Sequence, residues 1–410
     1  MFHRIVSTLS VVSFCAAVSF GAKADITPVD PGSIGLDAAK LGEIEQALAK
    51  DVADGKVPGA VMLIARQGKV GFFTATGFQT PGKKRPMTSK TIFRMYSMTK
   101  PIVSVAAMAL VEDGRLSLDE PISSYIPYFA ETTVFQQAGS SFMIKKDGAR
   151  SARTQITVRD LMRHTSGMIY GVFDKGALGK LYKEAGAASS DIDLNQFSAV
   201  MAKLPLRFEP GTAWHYGRST DVLGRVMEIA SGQPLDEFLN DRIFKPLGMT
   251  DTAFFHGADK ADRLAQGVKP LFAVTEPKPM LSGGGGLTST MEDYLRFAMM
   301  LRNRGSLDGQ RIIKPETLAL MTQNHIAGLD RKFFYPGKAY GFGLGFAVRI
   351  ADEGRYPGTL GDYWWRGYAG TYFWIDPRKD LFAIFLIQDP AKRVHYTGAT
   401  RNWVYNALAK

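Results

Sequence analysis

Segments with β-strand character occupy both ends of this chain, whereas its middle has the pattern of helices. These segments are residues 60–66, 70–76, 341–350, 362–366, 370–376 and 381–388. The first two surround Gln67-Gly68, a turn dipeptide, and therefore predict a β-hairpin. Because a two-stranded hairpin is only marginally stable, neither end of the chain is expected to form a sheet alone. We therefore predict one antiparallel sheet built from strands of both ends.

Helical periodicity predicts the elements that cover this sheet. Residues 36–54 place apolar side chains three and four apart, and Gly55 ends the run. Residues 101–111 are apolar on every side, which is typical of a helix buried in a protein core. Further helices are predicted at residues 219–231, 291–301 and 397–409.

Together these elements predict an α/β, two-lobed fold. The antiparallel sheet and its flanking helices would form one lobe from residues about 36–90 and 335–410. Residues about 91–334 would form a second, mainly helical lobe. An active site is expected in the cleft between the two lobes.

A leader peptide is predicted at residues 1–24. A short basic stretch precedes an apolar run at residues 5–20, and Ala22-Lys23-Ala24 matches a signal-peptide cleavage site. Because the run is short for a membrane span, an uncleaved anchor is the lesser alternative. We expect residues 25–410 to be the mature domain, periplasmic or secreted from a bacterium and without an integral membrane span. Cys15, the single cysteine, lies in the leader, so disulfides and thiol chemistry are excluded from the mature chain.

Charge and motif content limit the partners of the chain. The formal net charge is +11, but the basic residues are scattered, whereas a nucleic-acid groove needs a basic stripe with aromatic residues. No P-loop, no H-E-x-x-H, no G-x-S-x-G and no G-x-G-x-x-G after a strand is present. The histidines are too dispersed for metal-ligand spacing. We therefore expect no nucleic-acid partner, no metal and no cofactor, and the oligomeric state stays open.

The segment Ser97-Met98-Thr99-Lys100 carries the pattern Ser-x-x-Lys at the start of the apolar helix. On a helix this spacing places the ammonium beside the hydroxyl, and the helix N-terminus favours an alkoxide. A lysine buried there is desolvated, so we expect it to lose its proton near neutral pH and to accept or relay the proton of the serine. The pattern also occurs by chance, as a helix N-cap with a solvent-exposed lysine. The apolar helix that follows favours the catalytic interpretation.

Tyr96-Ser97-Met98-Thr99-Lys100-Pro101 resembles the nucleophile helix of the serine β-lactamase and penicillin-binding-protein superfamily. Further stretches resemble its class C-like branch, in family order: 112–121 (EDGRLSLDEP), 161–168 (LMRHTSGM), 208–212 (FEPGT), 246–252 (PLGMTDT), 285–290 (GGLTST) and 370–377 (GTYFWIDP). The resemblance covers about residues 36–408. It implies a β-lactamase-like fold and an acyl-enzyme mechanism in which Ser97 is the nucleophile and Lys100 handles its proton.

The Tyr-x-Asn motif of the superfamily is matched by Tyr216-Gly217-Arg218, in which Arg218 replaces the amide. The resemblance implies that Tyr216, beside a lysine cation, acts as general base and then protonates the leaving group. Whether Lys100 or Tyr216 is the main base stays open. Arg218 is a candidate substrate-binding residue.

The Lys-Thr-Gly motif is matched by Trp365-Arg366-Gly367, with a register one residue earlier as the alternative. In the superfamily this strand and the nucleophile supply the backbone N–H groups of the oxyanion hole, which implies Tyr368 and Ser97 here. Trp365 and Gly367 are candidate substrate-binding residues, and Arg366 is expected to point away from the side of the strand that Trp365 occupies. Trp-x-Gly in place of Lys-Thr-Gly resembles the family VIII carboxylesterases.

The resemblance therefore implies a serine hydrolase of small carboxylic esters, with a small-molecule ester or β-lactam-like compound as its substrate. A β-lactamase or D-alanyl-D-alanine peptidase with the same nucleophile is the main alternative, although Trp365 and Arg218 disfavour it. Hydrolysis of small amides and an inert ligand-binding role are further alternatives, and the intact nucleophile, lysine and tyrosine argue against the last. His164 is interpreted as a support of the turn that follows it, and His215 as a neighbour of Tyr216.

Overall fold

The computed structural model describes residues 26–82, 85–136 and 149–409. The predicted leader at residues 1–24 lies outside these ranges. No helix within the described ranges is long and apolar enough to cross a bilayer.

Seven antiparallel strands form the main sheet of the described chain. They are β1 (Gly59–Arg66), β2 (Lys69–Gly77), β3 (Tyr340–Phe342), β4 (Ala347–Arg349), β5 (Tyr363–Arg366), β6 (Tyr372–Asp376) and β7 (Leu381–Leu386). Their order across the sheet is β2-β1-β7-β6-β5-β4-β3. Val61 of β1 lies opposite Leu386 of β7, so strands from the two ends of the chain pair directly. The prediction of one sheet built from both ends is confirmed.

The hairpin of β1 and β2 follows from its turn. Gln67 and Gly68 both have positive φ, 53° and 74°, and two such residues in a row make the turn that suits the twist of a hairpin. Strand β1 is buried along almost its whole length, and helices at residues 38–53 and 291–302 pack on its two neighbours, β2 and β7.

The stretch predicted as one strand at residues 341–350 is instead two short strands, β3 and β4. The turn between them contains Gly343 and Gly345, and the Gly345 N–H donates to the Met162 carbonyl at 3.2 Å. Gly345 has a φ of 99°, and a Cβ there would overlap the Ser104 hydroxyl. Glycines inside a strand pattern are the signal of such a close approach.

Eleven α-helices occur in the described ranges. They are α1 (Ala38–Ala53), α2 (Thr99–Glu112), α3 (Val158–Met162), α4 (Ala177–Glu184), α5 (Leu194–Ala202), α6 (Ser219–Ser231), α7 (Leu235–Leu239), α8 (Lys245–Leu247), α9 (Met291–Arg302), α10 (Pro315–Met321) and α11 (Arg393–Asn406). Helix α2 is buried from Thr99 to Leu110 and packs against α6. The last helix begins at Arg393 rather than at residue 397.

A fully buried ion cluster connects the sheet to the last helix. Asp362, just before β5, accepts hydrogen bonds from Arg349 Nε at 2.7 Å and from Arg401 Nη1 and Nη2 at 3.0 Å. All three side chains are fully buried. A buried charge is costly unless it is paired, so β4, β5 and α11 are linked by one electrostatic contact.

Asp362→Ala is expected to lower the free energy of unfolding by about 3–5 kcal/mol, because two buried guanidinium groups lose their carboxylate. Thermal and urea denaturation followed by circular dichroism measure this loss. Asp119→Ala is the control, since Asp119 pairs with Arg159 at the surface and such pairs contribute below about 1 kcal/mol. Equal unfolding midpoints for the two variants would contradict the structural role of the cluster.

Candidate active site

The Ser-x-x-Lys segment forms a tight turn in front of helix α2. Residues Tyr96–Met98 make one turn of 3-10 helix, and α2 follows directly. Tyr96 has a φ of 47°, a strained region for a residue with a side chain. Ser97 lines a cavity, and Lys100, one turn further, is 1% exposed. The structure therefore places both residues at the end of a buried helix.

Tyr216 lies against Ser97. Its hydroxyl donates a hydrogen bond of 2.5 Å to Ser97 Oγ. Tyr216 comes from the segment just before α6, and the rings of His164 and Trp365 pack on it at centroid distances of 4.9 and 5.4 Å. Packing from two sides therefore holds the phenol in place beside the serine.

Lys100 is held by several partners. Its Nζ donates to the Tyr170 hydroxyl at 3.0 Å and to the Gly284 carbonyl at 2.5 Å, and it lies 4.7 Å from the centroid of the Tyr216 ring. Burial works against the ammonium, but the Tyr170 and Tyr216 phenols and the Asp221 carboxylate outweigh it and raise the pKa of Lys100 above its ordinary value. This direction is opposite to the one expected from burial alone, and it favours an ammonium at neutral pH.

Asp221 is a residue of this site that no sequence motif indicates. It lies in the first turn of α6, fully buried, and accepts hydrogen bonds from Ser282 Oγ at 2.5 Å and from the Gly284 N–H at 3.0 Å. Because the Gly284 carbonyl accepts from Lys100, this one residue connects the carboxylate to the ammonium. A charged residue on the apolar side of a predicted helix is the signal that could have indicated it.

Tyr170 is a second such residue. It follows the HTSG stretch in the chain, and its hydroxyl accepts from Lys100. Burial raises the pKa of Tyr170 to about 12, so it stays a neutral phenol. Its contact with Lys100 depends on tertiary packing, which residue spacing does not show.

Arg218, a candidate substrate-binding residue, lines the cavity but has an internal partner. Its Nη1 lies 3.3 Å from Asp221 Oδ2, and its guanidinium carbon lies 4.8 Å from the centroid of the Tyr170 ring. Arg218 therefore balances the charge of the buried carboxylate.

Strand β5 brings its end against the Ser97 turn. The Gly367 N–H donates to the Thr371 carbonyl at 2.7 Å, and the Thr371 hydroxyl donates to the Met95 carbonyl at 3.0 Å. A Cβ on Gly367 would overlap the Met95 carbonyl, so this close approach requires glycine. In the part of the chain that the structure describes, the backbone N–H groups of Ser97 and Tyr368 have no hydrogen-bond acceptor. Both are therefore available as oxyanion donors.

Trp365 does not lie where the sequence interpretation placed it. Its indole is fully buried and packs behind the cavity wall, 5.4 Å from the Tyr216 ring and 5.2 Å from the Phe342 ring. Arg366 and Gly367 line the cavity instead. Successive residues of a strand face opposite sides, and the Trp365 side chain faces the core. The expectation that Trp365 contacts the substrate is therefore corrected: its side chain packs against Tyr216 and supports that ring.

The cavity beside Ser97 has a volume of about 880 Å³, and many of its lining residues are aromatic. Its aromatic lining includes Tyr170, Phe173, Phe255, Phe272, Tyr335 and Tyr368. A cavity of this size and character suits a small organic molecule with apolar groups. Within the described ranges, no group of three or more His, Cys, Asp or Glu residues could hold a metal ion.

Both histidines near Tyr216 are neutral at pH 7. Burial lowers the pKa of His215 to about 4, and its Nδ1 lies 3.1 Å from the Tyr216 carbonyl oxygen. Burial also lowers the pKa of His164 well below its ordinary value. The His164 ring packs on Tyr216, so it supports the phenol as well as the turn that follows it.

Comparisons with known proteins agree with this geometry. Residues 44–405 match the family model described as Beta-lactamase. Esterase EstB of Burkholderia gladioli is 31% identical over 392 residues, which cover 87% of this chain and 93% of EstB. Lovastatin esterase of Penicillium rubens is 31% identical over 369 residues, covering 82% of this chain and 89% of that enzyme.

A solved structure gives the same relationship. EstCE1, described as a hydrolase with promiscuous acyltransferase activity, superposes with a TM-score of 0.77 at 28% identity, over 90% of this chain and 99% of EstCE1. The β-lactamase-like fold and the superfamily resemblance are thereby confirmed. The chain belongs to the Beta-lactamase family and is a hydrolase related to the esterases of that family.

Proposed function

We propose that this protein is a serine carboxylesterase that hydrolyses small esters through a covalent acyl-enzyme. The observation that carries the proposal is the 2.5 Å hydrogen bond between the Tyr216 and Ser97 hydroxyls, beside the buried Lys100 ammonium and in the wall of an aromatic cavity. The esterases among its relatives support the same reaction.

Acylation begins when Ser97 Oγ attacks the carbonyl carbon of the ester. Its proton moves to the Tyr216 oxygen, which must be a phenolate for this step, and the Lys100 ammonium compensates the negative charge of that phenolate. The raised pKa of Lys100 makes the lysine an electrostatic partner rather than the base. Tyr216 then gives the proton to the alkoxide as the bond between the carbonyl carbon and the alcohol oxygen breaks.

Deacylation uses the same groups. Water attacks the acyl carbon and gives a proton to the Tyr216 oxygen. The bond between the acyl carbon and Ser97 Oγ then breaks, Tyr216 returns the proton to Ser97 Oγ, and the carboxylic acid leaves. In both steps the backbone N–H groups of Ser97 and Tyr368 stabilise the negative oxygen of the tetrahedral intermediate.

An ester is favoured over a β-lactam because Trp365, which stands in the place of the lysine of Lys-Thr-Gly, is fully buried and cannot hold a substrate group. Cleavage of β-lactams or D-alanyl peptides by the same nucleophile is the second candidate, which the family match supports. We also propose that residues 1–24 act as a leader that directs the enzyme out of the cytoplasm.

The first experiment compares 4-nitrophenyl butyrate with a chromogenic cephalosporin as substrates. We expect kcat/KM to be much higher for the ester, and Ser97→Ala to lower it by at least about 10³-fold, because the nucleophile is removed. Ser104→Ala is the control, since Ser104 lies on the same helix but is not among the residues that line the cavity. Faster turnover of the cephalosporin would favour the second candidate, and unchanged ester turnover in Ser97→Ala would refute the mechanism.

Asp221→Asn is expected to lower the pKa of Lys100, because it removes one of the negative groups that raise that pKa. Lys100 then loses its proton at lower pH, so the alkaline limb of the kcat/KM profile moves to lower pH. Because the pKa of Lys100 lies above its ordinary value in the wild type, we expect the wild type to keep its kcat/KM up to about pH 10.5, whereas Asp221→Asn loses activity within the range from about pH 6 to 10.5. Asp191→Asn is the control, since Asp191 pairs with Lys278 at the surface. Coincident profiles for wild type and Asp221→Asn would contradict the assigned role.

Gly367→Ala is expected to lower kcat by about 10²–10³-fold, because the added Cβ separates the end of β5 from Met95 and displaces the Tyr368 N–H. Gly42→Ala in α1 is the control, since a Cβ there meets no atom within 4 Å. Steady-state kinetics and the melting temperature of both variants separate a loss of catalysis from unfolding. A wild-type kcat in Gly367→Ala would refute the oxyanion assignment.

A further inference from the structure

One end of the cavity carries positive charge. Arg366, the last residue of β5, and Arg393, the first residue of α11, both line the cavity beside Tyr368. The Arg393 guanidinium carbon lies 5.2 Å from the centroid of the Tyr368 ring. Arg366 Nη1 donates to Thr397 Oγ1, one turn into α11, at 3.2 Å. The two arginines therefore lie next to the residue that supplies a proposed oxyanion donor.

Neither guanidinium has a carboxylate partner within the described ranges. Arg366 bonds the Thr397 hydroxyl, and Arg393 Nη1 bonds the Pro390 carbonyl at 2.7 Å. A guanidinium has five N–H donors in a planar fork that matches a carboxylate. Most of the donors of both arginines are therefore left for a ligand.

The other cations of the cavity wall, Arg218 and Lys278, each have a carboxylate partner. Arg218 pairs with Asp221 at 3.3 Å, and Lys278 pairs with Asp191 at 3.4 Å. Glu276 is the one carboxylate among the described lining residues, and it forms no ion pair with either unpaired arginine. The unbalanced charge of the wall is thus concentrated at Arg366 and Arg393.

The position of Tyr335 indicates that these arginines lie on the leaving-group side of the ester bond that is cleaved. Its ring lies 5.8 Å from the Tyr216 ring, and the Arg366 guanidinium carbon lies 5.6 Å from the centroid of the Tyr335 ring. In the proposed mechanism Tyr216 protonates the leaving alkoxide. Arg366 also precedes Tyr368 by two residues, so their Cα atoms are at most about 7 Å apart. The charged end is therefore within reach of the alcohol part of a small ester.

We infer that Arg366 and Arg393 bind a carboxylate on the alcohol part of the substrate, so that the preferred substrates are esters of hydroxy acids. This inference rests on the proposed esterase function and adds the substrate class to it. Charge-assisted contacts at this end hold the leaving oxygen next to Tyr216, while the acyl group occupies the aromatic part of the cavity.

The test compares 4-acetoxybenzoate with 4-acetoxybenzamide, two esters of similar shape that differ in one negative charge. We expect kcat/KM of the wild type to favour the carboxylate at least tenfold, mostly through a lower KM, and this preference to fall as NaCl is raised. Arg366→Gln and Arg393→Gln each lower the preference severalfold, and the double variant brings it close to one. Lys278→Gln is the matched control, since it also removes a cation from the wall but one with an ion-pair partner, and it is expected to keep the preference.

A second measurement does not depend on turnover. Isothermal titration of 4-hydroxybenzoate into the wild type and into the double variant is expected to show at least tenfold weaker binding to the variant. Equal binding, or a carboxylate preference that survives in the double variant, overturns the inference. If Ser97 is needed for hydrolysis of both esters but the enzyme prefers neither, the inference fails and the esterase function stands. If neither ester is hydrolysed but 4-hydroxybenzoate binding still depends on the two arginines, the esterase function fails and the inferred carboxylate site stands.

Discussion

The site depends on one buried positive charge, the Lys100 ammonium. Helix α2 carries it into the core, where an uncompensated charge would cost several kcal/mol. The compensation comes from the Asp221 carboxylate of α6, through Gly284, and from the Tyr170 and Tyr216 phenols. Four parts of the chain are thus positioned around one side chain. Removing Asp221 or either phenol removes a group that raises the pKa of Lys100, which lies beside the Tyr216 ring.

The topology of the sheet explains why the two proposed oxyanion donors come from distant parts of the chain. Strands from both ends pair in one sheet, so β5 ends beside the turn that carries Ser97. The Thr371 hydroxyl holds the Met95 carbonyl, and the Asp362 cluster joins the start of β5 to α11. Strand β5 is therefore fixed at both ends, and this keeps the Tyr368 N–H in the position that the proposed oxyanion contact requires.

Residue periodicity and turn dipeptides were enough to predict individual helices and the hairpin turn. The predicted helix at residues 219–231 agrees with α6, and the turn at Gln67-Gly68 agrees with the hairpin. The protonation of Lys100 was not predictable in this way. Desolvation alone argues for a neutral amine, and the opposing groups, Asp221 and Tyr170, are brought to it only by tertiary packing. The division of residues 341–350 has a similar cause, since the turn is shaped by contact with α2.

This chain has Trp365-Arg366-Gly367 where the superfamily has Lys-Thr-Gly. The positive charge is therefore kept, but it lies at the second position of the motif instead of the first. Successive residues of a strand face opposite sides, so a cation at 366 faces the cavity while the residue at 365 faces the core. Trp365 packs against Tyr216 from the core side, and the charged Arg366 side chain lines the cavity wall. Gly367 is retained because any side chain would overlap Met95. In the proposed mechanism, binding specificity can therefore change at this strand without disturbing the backbone that carries the proposed oxyanion donor, because the two properties depend on different residues.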